Sequence, residues 1–167
     1  MVLSGCSTAG KFKSMRDQAY EGKLERVLLV YSAENRAGAL GRDFSRRVMS
    51  RLADSLARQN VPSEAVPFAS SALDQAAPVK AAAARFAPGQ ILYFRVASIK
   101  STSWMHWTDV NDLPVYTHTV AATLEFSVSD SKTDKTIWRT EALYYVDPRP
   151  QDVANSVIAQ LRTARLL

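Results

Sequence analysis

Residues 90–100 read QILYFRVASIK, and their alternation decides the fold class. A period of two is the pattern of a β-strand, because successive side chains point to opposite faces of a sheet. The stretch therefore predicts a central strand, around which the other elements can be placed. Its two faces consist of Ile91, Tyr93, Arg95, Ala97 and Ile99, and of Leu92, Phe94, Val96 and Ser98.

Further strands are predicted on both sides of this one. Residues 114–130 alternate over many positions, and residues 135–146 follow after a short polar turn, which is typical of an antiparallel hairpin. Upstream, residues 24–31 (LERVLLVY) form the apolar run of a buried strand. Residues 62–68 contain two prolines, which cannot donate ladder hydrogen bonds, so they predict an edge strand.

Three helices separate or follow these strands. Residues 37–59 carry apolar side chains every four positions, and residues 73–86 are rich in alanine, with Pro78 suited to a first turn. Residues 147–150 (DPRP) are expected to start a last helix, with Asp147 as a candidate cap and a proline in the first turn. The order β-α-β-α-β-β-β-α predicts an α/β (α+β) fold with a single mixed sheet of about five strands. The first strands would be parallel and the last three antiparallel.

Composition limits the domain organisation. The chain has 167 residues, of which 47% are hydrophobic and 22% charged, as in one globular domain. Its net charge of +5 is too diffuse to require nucleic acid, and no apolar run approaches the roughly 18 residues of a transmembrane helix. We predict one domain over residues 24–167, preceded by a flexible polar tether over residues 7–23.

Cys6, the only cysteine, follows the residues LSG. A leucine, two small residues and a cysteine are the end of a bacterial lipoprotein signal, in which lipid chains on the thiol anchor the protein. Residues 1–6 then form the remnant of a signal whose basic and apolar regions are missing. Ser7, in place of aspartate, favours sorting to the outer membrane. The alternative is a chance match at a disordered N-terminus.

Two segments resemble a known family. Residues 82–100 (AAARFAPGQILYFRVASIK) and residues 121–142 (AATLEFSVSDSKTDKTIWRTEA) resemble the helix–strand and hairpin signatures of periplasmic assembly lipoproteins. Members are the curli secretion-channel lipoprotein, the lipoprotein activator of penicillin-binding proteins and the TolB N-terminal domain. The resemblance implies the same order of elements, and binding or assembly without catalysis at the periplasmic face of the outer membrane.

The stretch between the strands predicted over residues 90–100 and 114–130 is unusually aromatic. It contains Trp104, Met105, His106 and Trp107. Tryptophan has an apolar body and one N–H donor, which suits a partner-binding tip or a membrane-interface anchor. Alternatively, these side chains fold back over the sheet, or the stretch extends the two strands as a long hairpin.

Other polar residues offer weaker sites. Arg42, Arg46, Arg47 and Arg51 form a basic helix surface that suits anionic lipid headgroups or envelope polymers, although a solvated face has the same pattern. A metal site built from His106, Asp109, Asp112 and His118 lacks a recognised close pair of ligands, so we expect no metal. We also expect no cofactor and no enzymatic activity, because no nucleophile–base motif is present.

Together these patterns predict a lipid-anchored periplasmic binding or assembly factor of the outer membrane. It would act through contacts with an envelope protein partner or with further copies of itself, and would bind no nucleic acid. The alternative function is a carrier or receptor for a lipid or small ligand, bound in an apolar pocket between helix and sheet.

Overall fold

The computed structural model describes residues 10–32, 42–68, 76–107, 114–145 and 148–167, with the backbone alone for residues 101–107 and 114–120. Six strands and three helices lie in these ranges, in an order that contains the predicted one. They are β1 (Lys11–Arg16), β2 (Val27–Ser32), α1 (Arg42–Ala57), β3 (Ser63–Phe68), α2 (Ala77–Phe86), β4 (Gln90–Trp107), β5 (Pro114–Asp130), β6 (Thr136–Tyr144) and α3 (Pro150–Thr163).

All six strands form one mixed sheet in the order β1-β6-β5-β4-β2-β3. Strand β2 runs parallel to β3 and β4, while β4, β5 and β6 form an antiparallel meander. The predicted α/β fold with a single mixed sheet is therefore confirmed. The position of β3 at the sheet edge is also confirmed.

Strand β1 was not predicted. The tether predicted over residues 7–23 is wrong for residues 11–16, which pair antiparallel with β6 along their whole length. This strand is mostly exposed, so its sequence lacks the apolar alternation by which strands are recognised. Besides this backbone pairing, a few side-chain contacts attach it to the sheet. The ring of Phe12 lies edge-on to Tyr144 at 6.2 Å, and the hydroxyls of Ser14 and Thr140 are 2.7 Å apart.

Helices α1 and α3 cover one face of the sheet. The main core lies beneath them and includes Trp138 and a stacked pair, Phe94 and Phe126, whose ring centroids are 4.6 Å apart. Helix α2 packs on the opposite face, where it covers β2 and β3 through a smaller apolar cluster. That cluster consists of the buried residues Leu28, Val30, Val66 and Ala82.

A bulge changes the alternation of the central strand. The pairing of β4 with β5 shifts between Val96 and Ser98, so Ala97 has no partner in the register. A bulge inserts one residue and reverses which side chains face inwards. Ile99 consequently packs against the main core, together with Leu92, rather than sharing the opposite face with Ile91 as predicted.

The helix starts agree in part with the predictions. Pro78 lies in the first turn of α2, as expected. Helix α3 begins at Pro150 with Arg149 at its N-cap, so the predicted cap at Asp147, which lies outside the described residues, is wrong. The Arg149 side chain instead pairs with Asp152 in the first turn, at 2.8 Å. Helix α1 is described from Arg42, and the predicted start at residue 37 lies outside the described ranges.

The turn between β5 and β6 yields a stability prediction. The Asp130 carboxylate accepts hydrogen bonds from the backbone N–H groups of Lys132 and Thr133, and Asp134 has a φ of 55°. Glycine adopts this left-handed conformation without a steric penalty. We expect Asp134→Gly to change the free energy of unfolding by less than about 1 kcal/mol, and Asp134→Val to lower it by about 1–2 kcal/mol. Urea unfolding of both variants measures the difference, and equal stability would contradict the strained φ.

Candidate functional site

The sheet has a face that α2 covers only in part. Beyond β2 and β3, the strands β4, β5, β6 and β1 turn charged and polar side chains to this side. Exposed side chains here include Tyr93, 38% exposed, and Met15, 63% exposed, although both are large and apolar. They lie in one row across the sheet, since Tyr93 pairs with Ser127, Ser127 with Arg139 and Arg139 with Met15.

A hollow of about 950 Å³ lies against this face. Val30 and Phe68 contribute apolar surface at the end nearest β2 and β3, and Tyr93 and Met15 extend that surface across the sheet. Arg16 and Asp17 line the hollow at the end of β1. Charged groups from the middle strands are also part of the lining, and they are Arg95, Glu125 and Arg139.

These three charged residues form one ion cluster. Arg95 and Glu125 are direct cross-strand partners, and Arg139 reaches Glu125 diagonally from β6. Arg95 Nε donates to Glu125 Oε2, and Arg139 donates to Glu125 Oε1, so each carboxylate oxygen holds one guanidinium. Only 8% of the Glu125 side chain is exposed. The hydrogen bond from Arg95 and the neighbouring charge of Arg139 outweigh this desolvation and lower the pKa of Glu125.

The remainder of the cluster is more exposed. Arg139 also lies 3.2 Å from the carboxylate of Glu141, whose side chain is 47% exposed. Arg95 is 67% exposed, and Glu125 is its one ion-pair partner among the described residues. At one end of the hollow, Asp17 forms a 2.6 Å ion pair with Lys135, whose hydrogen bond lowers the pKa of Asp17.

The second feature is a two-stranded extension of the sheet, which we call the ribbon. Strand β2 pairs with β4 no further than Phe94, and β6 pairs with β5 no further than Ala122. Among the described residues, residues 100–107 and 114–121 therefore pair only with each other. At about 3.3 Å per residue, the ribbon extends roughly 26 Å.

The aromatic cluster lies within this ribbon. Trp104, Met105, His106 and Trp107 belong to β4, so the alternative of a long hairpin is confirmed for the backbone, and a connection that begins at residue 101 is wrong. Trp104 pairs with Thr117, and Trp107 pairs with Pro114. The partner-binding role of these residues stays a prediction.

The basic surface of α1 is partly neutralised. Asp43 lies 2.8 Å from Arg46 and 2.7 Å from Arg47, and both hydrogen bonds lower the pKa of Asp43. Arg51 lies 4.0 Å from Asp54. All of these side chains are more than half exposed, so the pairs are weak. Arg42 begins the helix. The four arginines and two aspartates leave a modest positive charge.

The other residues considered for sites are not brought together in the part of the chain that the structure describes. Cys6, Asp109 and Asp112 lie outside the described residues, and the two histidines do not pair with each other, because His106 is opposite Val115 and His118 opposite Ser103. The described residues contain no group of three or more potential metal ligands. None of the described helices has the length and hydropathy needed to cross a membrane.

Comparisons with known proteins show the fold. No protein-family model and no curated protein matches the chain. The PelC dodecamer from Paraburkholderia phytofirmans aligns with a TM-score of 0.52 and 15% identity over 91% of this chain and 94% of that chain. A point variant of that PelC gives a TM-score of 0.53, with the same identity and coverage. Lipoprotein GNA1162 from Neisseria meningitidis aligns with a TM-score of 0.43 and 10% identity over 84% of this chain and 97% of its own, a likeness too weak to support a conclusion.

The ion cluster was missed by sequence analysis. The alternation did place Arg95 on one face of its strand, and Glu125 on the polar face of the next. The missing information was the register, since a shift of one residue would move Glu125 away from both guanidiniums. The pattern that could have indicated the cluster is a charged residue inside each of three neighbouring strands, namely Arg95, Glu125 and Arg139.

Proposed function

We propose that this chain is a lipid-anchored binding or assembly factor of the bacterial outer membrane, exposed to the periplasm. Its contacts are with protein, and they are made through the ribbon. The lipid anchor is on Cys6, and its support is the LSGC motif. The partly neutralised arginine surface of α1 would add a weak attraction to anionic headgroups.

The observation that carries the proposal is the ribbon. A two-stranded hairpin is at best marginally stable in water, and both outer edges of this one are unpaired among the described residues. Unpaired edges bind further strands through main-chain hydrogen bonds. The tryptophans at its far end are the residue type that most often dominates the binding energy of protein interfaces.

The first partner is a second copy of this chain. Support comes from the fold, which is similar to that of PelC over almost the full length of both chains, and PelC is a dodecamer. An edge that pairs with a different surface on the next copy generates a ring when the rotation closes. The contacts with other envelope proteins that the sequence suggested would then be made by the assembly.

Sedimentation velocity tests the self-association. We expect a chain that lacks residues 1–6 to sediment as a species several times larger than its monomer, whose mass is slightly below the 18.4 kDa of the full chain, in a concentration-dependent manner. The same chain with maltose-binding protein fused to its C-terminus should show the same stoichiometry if the ribbon makes the contact, because Leu166 lies beside Leu24 at the end of the sheet opposite the ribbon. A monomer at every concentration up to the millimolar range would overturn self-association.

The hollow favours a second candidate function, a carrier or receptor for a small ligand. Its volume of about 950 Å³ is at the upper end of the range for small-molecule pockets, and it combines apolar surface with a few charged groups. The predicted apolar pocket would thus lie on the face that α2 partly covers, beside α2 rather than beneath it. Co-purification of a small molecule with the chain, detected by mass spectrometry after denaturation, would support this candidate.

A further inference from the structure

Glu125 holds two arginines at a fixed spacing. Its carboxylate is buried on the sheet, and its two oxygens each accept a hydrogen bond from a different guanidinium, Arg95 from β4 and Arg139 from β6. A guanidinium that is already oriented loses less conformational entropy when it binds a ligand. The sheet therefore presents a pair of positive groups that are ordered before any ligand arrives.

Both guanidiniums keep free donors. A guanidinium has five N–H groups, and Arg95 uses its Nε in the contact with Glu125. Its side chain is 67% exposed, and that of Arg139 is 46% exposed. Both line the hollow. The planar N–H groups of arginine match the oxygens of phosphate and carboxylate groups.

The same hollow has apolar surface beside these donors. Tyr93 comes two residues before Arg95 on the same side of β4, and Val30 and Phe68 line the end near β2 and β3. Exposed apolar surface in a hollow favours the binding of apolar groups, because binding removes both from water. A ligand that fills the hollow would place an apolar body there and an anionic group at the arginines.

We propose that the hollow binds an amphipathic anion, in which a phosphate or carboxylate is joined to an apolar body, with Arg95 and Arg139 as its anion-binding residues. This deepens the second candidate function, since it names the class of small ligand. It does not depend on the ribbon or on self-association.

One carboxylate competes with the ligand. Glu141 lies 3.2 Å from Arg139, but almost half of its side chain is exposed, so water can replace it at low cost. Glu125 is different, because it is buried and holds both arginines. Neutralising Glu141 should therefore strengthen binding of the anion, whereas neutralising Glu125 would disorder the site.

Isothermal titration calorimetry of the chain with octyl phosphate tests the proposal. Inorganic phosphate supplies the anion alone, and 1-octanol supplies the apolar body alone. We expect octyl phosphate to bind at least tenfold more tightly than either. Arg95→Gln should lower the affinity for octyl phosphate at least tenfold, and Arg95→Lys should lower it less. Glu141→Gln should raise the affinity.

The matched control is Arg85→Gln. Arg85 is similarly exposed and also pairs with a glutamate, Glu64, but it lies on α2 and does not line the hollow. The proposal would be overturned if Arg85→Gln and Arg95→Gln lowered the affinity for octyl phosphate equally. It would also be overturned if octyl phosphate did not bind, or bound no more tightly than octanol. If Arg95→Gln fails to melt cooperatively, the test uses Arg95→Lys and Glu141→Gln instead. Unchanged affinity for octyl phosphate in both variants would then overturn the proposal. Sedimentation of the same samples shows separately whether self-association persists, so failure of this proposal leaves the assembly proposal independently tested.

Discussion

Replacing Glu125 with glutamine is expected to lower the free energy of unfolding by about 2 kcal/mol. The change leaves Arg95 and Arg139 close together without the carboxylate that both contact. Removing one partner of a fully buried ion pair costs about 3–5 kcal/mol, and the partial exposure of these guanidiniums reduces that value. Urea unfolding of the two proteins at pH 7 measures the loss.

The matched control is Glu141→Gln, which removes a more exposed carboxylate from the same cluster. It should lower the free energy of unfolding by less than about 0.5 kcal/mol, as for other exposed ion pairs. Equal losses in the two variants would contradict the role given to the burial of Glu125.

The loss should also depend on pH. The pKa of Glu125 is lowered in the folded protein from its ordinary value of 4.5, so its contribution to stability is complete above that value. As the pH falls through the lowered folded-state pKa, the carboxylate is protonated and the contribution disappears. The difference in stability between the natural protein and Glu125→Gln should therefore shrink as the pH falls below 4.5. A difference that stays constant down to pH 2 would contradict the ionic origin of the effect.

Shortening the ribbon is expected to abolish self-association. Replacing residues 101–120 with Asn-Gly would join Lys100 to Ala121, which are opposite each other in the register, through a two-residue hairpin turn. Since β2 and β6 pair with this hairpin only as far as Phe94 and Ala122, the rest of the sheet should keep its partners. Sedimentation velocity should show a monomer, and the melting temperature should change by only a few degrees.

Two alanine variants locate the contact within the ribbon. Trp104→Ala combined with Trp107→Ala should weaken association at least tenfold, because interface tryptophans often contribute about 2 kcal/mol or more each. The control replaces Thr102 and Thr119, which are paired in the same ribbon, with alanine. A large loss of stability in the tryptophan variant, with association unchanged in the molecules that remain folded, would show that these residues serve the fold instead.

Most of the fold could be predicted because the covered strands alternate strongly. In β4, Leu92 and Phe94 face α1 and α3, whereas Tyr93 lies on the opposite side, and this alternation is the pattern that indicates a strand. Strand β1 could not be found in this way, since its partner β6 is more than a hundred residues away and little of it is buried. The bulge at Ala97 also leaves no mark in composition, so the side on which Ile99 lies could not be predicted.

The candidate site was harder to predict than the fold. The unusual composition of residues 104–107 was evident from the sequence, but whether they formed a loop or a strand depended on pairing across the hairpin. The cluster around Glu125 depends on two registers at once, those of β5 with β4 and with β6. Register is set by packing of the whole sheet, and a single sequence does not state it.

Native mass spectrometry of the protein extracted from its membranes in detergent tests the central claim most directly. A lipid-anchored assembly factor predicts an oligomer whose mass is a whole multiple of one chain. Each chain should lack residues 1–5 and carry lipid on Cys6. A monomer with a free thiol at Cys6 would contradict the account.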